Sequence, residues 1–525
     1  MLRLTPSAKP KTTATPTLRA LCASVLIAAQ ALLPIPAGAQ MQPILPGLGD
    51  GGEMTASAER SLGDQIAREL YRDTDYIDDP VIAAYVQEIW QRLLTAARAR
   101  GELTPELDER FAWTVVLGRD RNINAFALPG GYLGLNLGLV AAVGSRDELA
   151  TVLGHELSHV TQRHISRMMS KQGKQMPLMI AGLILGMIAA SKSRNGDAGQ
   201  AVIMGSQALF MQNQLSFSRD MEREADRIGF GVMTQAGFAP QGAAAMFEKL
   251  QYASRLNDNG SYPYLRSHPL TTERISDMQG RFQFRMDTAP ALPLEMDHAM
   301  IASRARVLTR PGVDVLRLWI QSAASGEFAK STPAQQAGTL YAAALAAKEL
   351  RDYKAARALA ERLVARTTED PAAAKQARWL SAEIELAAGA PAKAAALLDA
   401  KSKERPEMIL AAEAATATRQ PAPMIPVLRD WVAANPRDAT AWRVLSNLYG
   451  AQNDTLRAVR ADAEANVAIL DYPAARDRFK AAQELVRKSG ASGAPIDHYE
   501  ASIIDTRARA VDALVKQQAE EPPLK

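Results

Sequence analysis

The chain has 525 residues, with 61 basic and 57 acidic side chains and a single cysteine. This length indicates more than one domain. The near balance of charge argues against a nucleic-acid-binding protein, since such proteins normally gather a basic excess on one face. Cys22 lies in the N-terminal segment, so the remainder of the chain has no disulfide and depends on hydrophobic cores for its stability.

Residues 1–39 have the pattern of a cleavable export signal. A basic start without acidic residues leads into an apolar run over 20–33, and Ala37-Gly38-Ala39 supplies the small residues that a signal peptidase requires. The run is short for crossing about 30 Å of hydrocarbon, which argues against a membrane anchor. An uncleaved anchor is the alternative. We expect cleavage near Ala39, after which the chain has 57 residues of each charge sign.

The folded part is expected to begin with two helices. Residues 40–57 are rich in Pro, Gly and small polar residues and predict a flexible N-terminal segment. A domain is then expected over residues 58–285. Apolar residues at spacings of three or four predict one helix from about Ala58, and Asp79-Pro80 marks the start of a second helix.

A small sheet is predicted after these helices. The run over 111–117 is rich in β-forming residues, and a second extended segment covers 125–139. Pro129, Gly130 and Gly131 confine the second segment to a sheet edge or its turn.

Helices dominate the next part of the chain. One is predicted over 145–167 with Ser145 as its cap, and another after Ser218. The 14 residues 177–190 form the most apolar stretch of the exported chain, but they are too few to span a bilayer. A core helix or lid and a peripheral membrane contact are both open for this stretch.

Residues 332–515 consist of Ala- and Leu-rich helical patterns, after a linker with connecting helices over 286–331. Asp370-Pro371, Arg405-Pro406 and Asn435-Pro436 recur at intervals of 35 and 30 residues. A helix–turn–helix unit of about 34 residues is typical of tetratricopeptide repeats. We predict an α-solenoid of such repeats, with an ordinary helical bundle as the alternative, and a disordered tail over 516–525.

The segment His155-Glu156-Leu157-Ser158-His159 is the central motif of the chain. Residues four apart lie on one face of a helix, so both imidazoles can bind one metal ion, with Glu156 beside them. Zinc lowers the pKa of its bound water towards about 7, and a nearby carboxylate can take the remaining proton during attack on a carbonyl. Two surface histidines beside a glutamate are the alternative, but the helical, partly apolar run over 149–154 favours the metal site.

A catalytic zinc usually takes three protein ligands, so a third must come from another element. Glu222 and Asp226 are four residues apart on one helix, so one can bind the metal while the other orients a ligand histidine. A salt-bridged, solvent-exposed helix is the alternative for this charge pattern. A separate basic stripe is expected to hold the carboxylates in place: Arg219, Arg223 and Arg227.

These residues resemble those of the gluzincin metallopeptidases related to the CAAX prenyl endopeptidases and to heat-shock membrane proteases. The motif at 155–159, Glu222-x-x-x-Asp226, the segment 124–132 and Ser267-His268-Pro269 all match this family. The likeness covers about residues 58–285 and is strongest to the soluble periplasmic branch, the β-barrel assembly-enhancing proteases, in which repeats follow the peptidase domain. The chain lacks the multiple membrane spans of the prenyl endopeptidases, so prenylated substrates are not implied.

The resemblance implies an α+β, mostly helical fold: a zincin-type metallopeptidase domain with a small β-sheet, followed by an α-solenoid of tetratricopeptide-like repeats. It implies one Zn²⁺ per chain, bound by His155, His159 and Glu222, with Glu156 as the general base. Asp226 has a supporting role. Glu224, two residues from Glu222 on a different helix face, is the less favoured third ligand.

His268 has two physically sensible roles. It can donate a hydrogen bond to the oxyanion that forms when water attacks a peptide carbonyl. Its neutral imidazole can instead fill the open zinc position and hold the enzyme latent, and the two roles are compatible if its loop moves. A structural histidine before a proline turn is the alternative. The other histidines fall outside any motif and are expected at the surface or in helix packing: His164, His298 and His498.

The family uses the segment around 124–136 as an exposed sheet edge, to which an extended polypeptide adds as a further strand. A plain hairpin beside the core is the alternative. The residues expected to contact substrate are Asn124, Ala125, Phe126, Ala127, Leu128, Pro129, Gly130 and Gly131.

Two functions follow from these observations. The first is a periplasmic zinc endopeptidase that degrades unfolded or misassembled proteins, above all outer-membrane β-barrel precursors. Its repeats would bind clients or the outer-membrane β-barrel assembly machinery. The second is a repeat-based periplasmic chaperone or assembly scaffold in which the peptidase site is largely latent. Neither function involves nucleic acid.

Overall fold

The computed structural model describes residues 54–170, 218–255, 263–283, 294–491 and 497–521. The predicted export signal and the apolar stretch 177–190 lie outside the described residues. Within these ranges, no helix is both long enough and apolar enough to cross a membrane.

The first helices follow the predicted capping signals. Helix α1 (Ala56–Arg72) begins two residues before the expected start, because the Thr55 side chain accepts a hydrogen bond from the Ala58 N–H. Helix α2 (Pro80–Ala99) has Asp79 as its N-cap and proline in its first turn. A short helix, α3 (Pro105–Arg110), leads to the sheet.

The sheet has three strands in the order β1-β3-β2, where β1 is Thr114–Gly118, β2 is Ala125–Leu128 and β3 is Tyr132–Asn136. Strand β3 pairs in parallel with β1 and antiparallel with β2. The 3₁₀ turn Pro129–Gly131 joins β2 to β3. Strand β2 is therefore an edge strand, as predicted, and the small sheet in a mostly helical chain confirms the predicted α+β class.

The central motif lies on α5, which follows the short helix α4 (Leu137–Ala142). Helix α5 covers Arg146–Thr161, and Ser145 caps it by accepting a hydrogen bond from the Glu148 N–H. The predicted continuous helix over 145–167 is wrong at its end. The chain breaks at Arg163, which has a left-handed φ of 52°, and continues as α6 (His164–Ser170).

Four helices complete the part around the motif. They are α7 (Arg219–Gln235), α8 (Gln241–Arg255), α9 (Tyr264–Ser267) and α10 (Thr272–Gln283). Helix α7 starts after Ser218, which caps it as predicted. Helices α5 and α7 pack closely because glycines meet where they cross: a Cβ atom on Gly229 would lie 2.9 Å from the carbonyl carbon of Gly154.

The remainder of the described chain is helical. Consecutive helices of the region over 332–515 contact one another along the chain, and the tetratricopeptide repeats stay a prediction. The bounds of the helices are α11 Met296–Leu308, α12 Val313–Ser322, α13 Gly326–Lys330, α14 Pro333–Glu349, α15 Tyr353–Arg366, α16 Pro371–Ala387, α17 Pro391–Ala396, α18 Arg405–Ala417, α19 Met424–Ala434, α20 Ala439–Ala451, α21 Thr455–Ala468, α22 Tyr472–Ala491 and α23 His498–Glu520.

The end of the chain differs from the prediction of a disordered tail over 516–525. Residues 516–520 belong to α23. The next residue, Glu521, forms an ion pair with Arg68 of α1 at 3.1 Å. This contact orders the last turn, and a charged sequence without apolar periodicity gave no sign of it.

The later helices pack against the first part through a shared interior. Trp379 of α16 and Leu410 of α18 belong to the same hydrophobic core as Trp90 of α2 and Leu153 of α5. Close ion pairs and hydrogen bonds surround this core: Arg304 to Asp79 at 2.7 Å, Arg405 to Asp78 at 2.6 Å and Arg437 to the Ala112 carbonyl at 3.1 Å.

Candidate metal centre

Four buried side chains converge between α5, α7 and the segment after α9: His155, His159, Glu222 and His268. Their donor atoms all lie within 4.8 Å of one another. His155 Nε2 is 3.0 Å from His159 Nε2, and each of these nitrogens is 3.5 Å from an oxygen of Glu222. His268 Nδ1 is 2.9 Å from Glu222 Oε1 and 3.3 Å from His155 Nε2.

These distances fit one zinc ion. Tetrahedral ligands about 2.0–2.1 Å from zinc are separated by roughly 3.3 Å. The five donor separations given above run from 2.9 to 3.5 Å. Three imidazole nitrogens face one another in a buried space, where hydrogen bonds among them cannot use every lone pair. A central cation uses all of them, and a donor set of imidazoles with one carboxylate suits zinc.

His155 is held from behind by a carboxylate. Its Nδ1 lies 3.0 Å from Asp226 Oδ1, which fixes the ring so that Nε2 faces the cluster. Arg274 of α10 forms a two-pronged ion pair with Asp226, at 2.6 and 2.8 Å, and its Nη1 is 2.7 Å from Glu222 Oε2. Burial disfavours the charged form of Asp226, but the Arg274 guanidinium outweighs burial and lowers the pKa of this carboxyl group.

His159 is held by a second histidine. His159 Nδ1 lies 2.8 Å from His164 Nδ1, and His164 Nε2 lies 3.1 Å from Glu224 Oε2. Arg167 Nη1 in turn is 2.9 Å from the same oxygen of Glu224. His164 is completely buried, and burial lowers its pKa to about 4, so its ring is neutral at physiological pH.

Glu156 joins the cluster to the sheet edge. Its Oε2 accepts a hydrogen bond of 2.9 Å from the Ala127 N–H of β2. Its Oε1 has no hydrogen-bond partner among the described residues and lies 3.4 Å from His268 Nε2. Complete burial raises the pKa of Glu156 above its ordinary value.

His268 lies directly after α9 and is buried against Tyr264, with the two rings stacked at a centroid distance of 4.7 Å. The backbone supports this position, because the His268 N–H donates to the Tyr264 carbonyl at 2.9 Å. His268 thus has one nitrogen in the donor cluster and the other towards Glu156.

The two ends of the segment expected to contact substrate, residues 124–131, lie in different environments. Residues 124–128 lead into and form β2, whose Ala127 N–H meets Glu156. Gly130 and Gly131 have left-handed φ angles of 70° and 85° and are buried in the turn. A Cβ atom on Gly130 would lie 2.7 Å from Arg60 of α1, so this end of the segment packs against the core.

The expectation that the basic stripe holds the carboxylates is wrong, and the less favoured third ligand, Glu224, lies outside the donor cluster. The basic stripe on α7 does not hold the carboxylates: Arg219, Arg223 and Arg227 are exposed, and Arg223 pairs with Asp220 at 2.5 Å. Arg274 holds Glu222 and Asp226 instead. Glu224 does not join the donor cluster and contacts His164.

The remaining histidines separate into different environments. His164 is part of the metal centre's surroundings, which its position outside the central motif did not indicate. His298 is buried in helix packing, with its nitrogens near the Tyr85 hydroxyl at 2.7 Å and the Val143 carbonyl at 3.1 Å. His498 is exposed at the start of α23.

Comparison with known proteins agrees with this geometry. Residues 80–282 match the model of peptidase family M48, and this range includes every residue of the donor cluster. The chain belongs to this family and is a zinc-dependent metalloendopeptidase. This confirms the predicted family, enzyme class and cofactor.

Relatives within this family point to one branch. A Yersinia pestis protein named β-barrel assembly-enhancing protease is 30% identical across 80% of this chain and 84% of its own length. The Escherichia coli K12 protein of the same name is 29% identical across 84% of this chain and 87% of its own length. A Vibrio cholerae relative is 34% identical, and that alignment covers 63% of this chain and 65% of the relative.

Proposed function

We propose that the protein is an endopeptidase of the bacterial cell envelope that degrades misfolded or misassembled proteins, with outer-membrane β-barrel precursors as its main clients. The names of the Yersinia and Escherichia relatives support the envelope location and the β-barrel clients. The observation that carries the proposed chemistry is the position of the Glu156 carboxylate beside the four-residue donor cluster.

In this proposal His155, His159 and Glu222 hold the zinc ion, and Asp226 orients His155. Bound zinc supplies Lewis acidity, which polarises a water molecule and the scissile carbonyl. Glu156 takes the proton of the attacking water and later gives it to the leaving amine. Burial raises the pKa of Glu156 and makes it a stronger base, while the Ala127 N–H fixes one oxygen and leaves the other for the proton.

The edge strand β2 is the proposed substrate-binding strand. One side of β2 pairs with β3, and the N–H of Ala127 points the other way, to Glu156. An extended client added along this free side would use backbone hydrogen bonds and align its scissile bond with the catalytic carboxylate. The contacts concern Asn124 to Leu128, because the turn Pro129–Gly131 is enclosed by the core.

His268 is proposed to hold the enzyme latent. Its Nδ1 takes a position in the donor cluster, and its Nε2 approaches Glu156, so it occupies the space that water and substrate need. Movement of this segment would free that space and allow the imidazole to donate to the oxyanion. His268→Ala separates the roles: raised casein cleavage supports latency, lost turnover supports oxyanion stabilisation, and unchanged cleavage eliminates both.

The helical region over 332–515 is proposed to bind clients as a solenoid of tetratricopeptide-like repeats. A cavity of about 320 Å³ lies where this region meets α2, which we call the junction cavity. Its walls include Val81, Leu386 and Ile409, and its charged groups include Glu413. Arg304, Lys348 and Glu383 also line this cavity, so its polar wall carries both signs of charge.

Location and partners complete the proposal. Export by residues 1–39, with cleavage near Ala39, would deliver the protein to the periplasm. There the helical region is proposed to meet the outer-membrane β-barrel assembly machinery, a proposal prompted by relatives named β-barrel assembly-enhancing protease. Residues 177–190 are proposed as a lid or a peripheral membrane contact, and liposome flotation with and without this stretch separates the two.

A second candidate function is a chaperone or assembly scaffold with a largely latent site, and the position of His268 favours it. The test is Glu156→Gln in the purified mature protein and in cells. We expect zinc content to stay at one per chain while casein cleavage falls at least 100-fold. Full complementation of a deletion strain by Glu156→Gln would establish the scaffold function, and wild-type cleavage by this variant would refute the proposed mechanism.

A further inference from the structure

The two ligand histidines contact different kinds of residue through their Nδ1 atoms. His155 meets a carboxylate directly through Asp226. His159 meets His164, and only then the carboxylate of Glu224, with contacts of 2.8 and 3.1 Å. A ligand histidine usually donates its second N–H to a carboxylate, a carbonyl or water, so an intervening imidazole needs an explanation.

The break after α5 makes this contact geometrically feasible. In a continuous helix, a residue five positions on lies about 140° round the axis, so His164 would point away from His159. The left-handed residue Arg163 interrupts the helix and turns His164 back towards the motif. This conformation is uncommon for a residue with a Cβ atom and persists where its surroundings hold it.

Arg163 is held by α1 and by Met54, which lies two residues before that helix. Its Nε donates to Glu59 Oε2 at 3.0 Å, its Nη2 donates to the Met54 carbonyl, and Glu59 is almost fully buried. The strained turn is therefore fixed by tertiary contacts rather than by a local turn sequence. The Arg163–Glu59 ion pair supports the turn, with 24% of the Arg163 side chain and 2% of the Glu59 side chain exposed.

If Nε2 of His159 binds a cation through its lone pair, the contacts described above are met by one arrangement of protons. His159 then carries its hydrogen on Nδ1 and donates to Nδ1 of His164. His164 carries its hydrogen on Nε2 and donates to Glu224, whose charge is balanced by Arg167. A neutral His164 fits this scheme, since it must accept at one nitrogen and donate at the other.

We propose that His164 and Glu224 form a positioning relay for the ligand His159. The relay fixes the tautomer and ring orientation of His159, and so increases its affinity for zinc. This inference rests on the proposed metal centre. Neither residue touches substrate or the reacting atoms, so both act through His159, and Arg163 acts one step further by setting the turn.

The test measures zinc affinity by competition with a chromophoric chelator in the full mature chain. His164→Phe keeps the volume of the ring but removes the acceptor, and we expect it to weaken zinc binding roughly 10- to 100-fold. His164→Asn returns an acceptor close to the position of Nδ1 and should recover most of that loss. Glu224→Ala, at a partly exposed position that tolerates substitution, should weaken binding by a smaller factor.

The matched control is His298→Phe, another buried histidine with both nitrogens engaged, whose partners Tyr85 and Val143 lie outside the donor cluster. It should lower the unfolding temperature measured with chelator but leave zinc affinity unchanged. Equal zinc affinity in His164→Phe and wild type overturns the relay, as does an equal loss in His298→Phe. Absence of zinc binding by the wild type would instead overturn both the relay and the proposed function.

Discussion

Gly154 of α5 faces Gly229 of α7 across the point where the two helices cross, where a Cβ atom would be 3.1 Å from its nearest neighbour at Gly154 and 2.9 Å at Gly229. A Cβ atom on Gly229 would lie 2.9 Å from the Gly154 carbonyl and from the His155 N–H nitrogen. This close approach brings the helix that carries Glu222 within reach of the histidines on the other helix.

Gly229→Ala is therefore expected to push the two helices apart. Overpacking of this kind costs about 1–3 kcal/mol in stability, and the displacement of Glu222 should weaken zinc binding as well. Denaturant unfolding and chelator competition measure the two effects. Gly450→Ala is the control, because a Cβ atom there meets no other atom within 4 Å. Zinc affinity that stays unchanged in Gly229→Ala would show that the crossing does not set the site.

Arg274 is expected to be the residue that organises both carboxylates. Arg274→Met leaves Asp226 and Glu222 buried without the Arg274 guanidinium. Breaking a buried ion pair in this way costs about 3–5 kcal/mol. Zinc affinity should fall with it, because Asp226 no longer holds His155 in place.

Arg223→Met separates this assignment from the alternative in which the α7 stripe holds the carboxylates. Arg223 is exposed and pairs with Asp220, so its loss should leave zinc content and casein cleavage unchanged. If Arg223→Met lost zinc while Arg274→Met kept it, the contacts described here would be wrong.

The site could be predicted from sequence where spacing along one helix determines it. Histidines four residues apart on α5 share a face, and Glu222 and Asp226 share a face of α7 for the same reason. The caps Ser145 and Ser218 fixed where these helices begin. Helical periodicity also indicated most of the helices, while β-forming residues and the Pro129-Gly130-Gly131 turn indicated the small sheet.

The contacts around the ligands were not predictable in the same way. Arg274 lies 48 residues beyond Asp226, and no local pattern relates the two. The break that turns His164 inwards contains no glycine or proline that would have signalled it. It is held instead by the contact between Arg163 and Glu59 of α1. Both features depend on tertiary structure, which periodicity along one helix does not report.

Zinc removal is expected to destabilise the protein reversibly. A ligand that binds only the folded state stabilises it by about 2.7 kcal/mol at a hundred times its dissociation constant. Thermal unfolding with chelator should therefore occur at a lower temperature, and added Zn²⁺ should restore the original value. Glu156→Gln should show the same shift, since Glu156 is not expected to bind the ion. If chelator left the unfolding temperature of both proteins unchanged, zinc would not stabilise the folded state.

Glu413 is expected to make stability fall as pH rises through the weakly acidic range. The Glu413 side chain is accessible from the junction cavity, but the surrounding protein partly desolvates it. Desolvation and repulsion by Glu383 raise its pKa to about 7, although Lys348 acts in the opposite direction. Between the ordinary glutamate pKa and about 7, the folded state then binds more protons than the unfolded state, so stability decreases with increasing pH.

Glu413→Gln should flatten this part of the pH profile, measured as unfolding temperature between pH 5 and 8. Because solvent reaches the carboxylate, the change should be small. Glu361→Gln, at an exposed position on α15, should leave the profile as it is. A profile that is identical in wild type and Glu413→Gln would contradict the desolvation of this group.

The shared interior has a consequence for how the enzyme is made. Trp379 and Leu410 complete the core that Trp90 and Leu153 begin, so a fragment ending near residue 285 would leave an uncovered apolar surface. Surfaces of this kind promote aggregation in a nascent chain. Proteolytic competence should thus appear only after the whole polypeptide has been synthesised and folded.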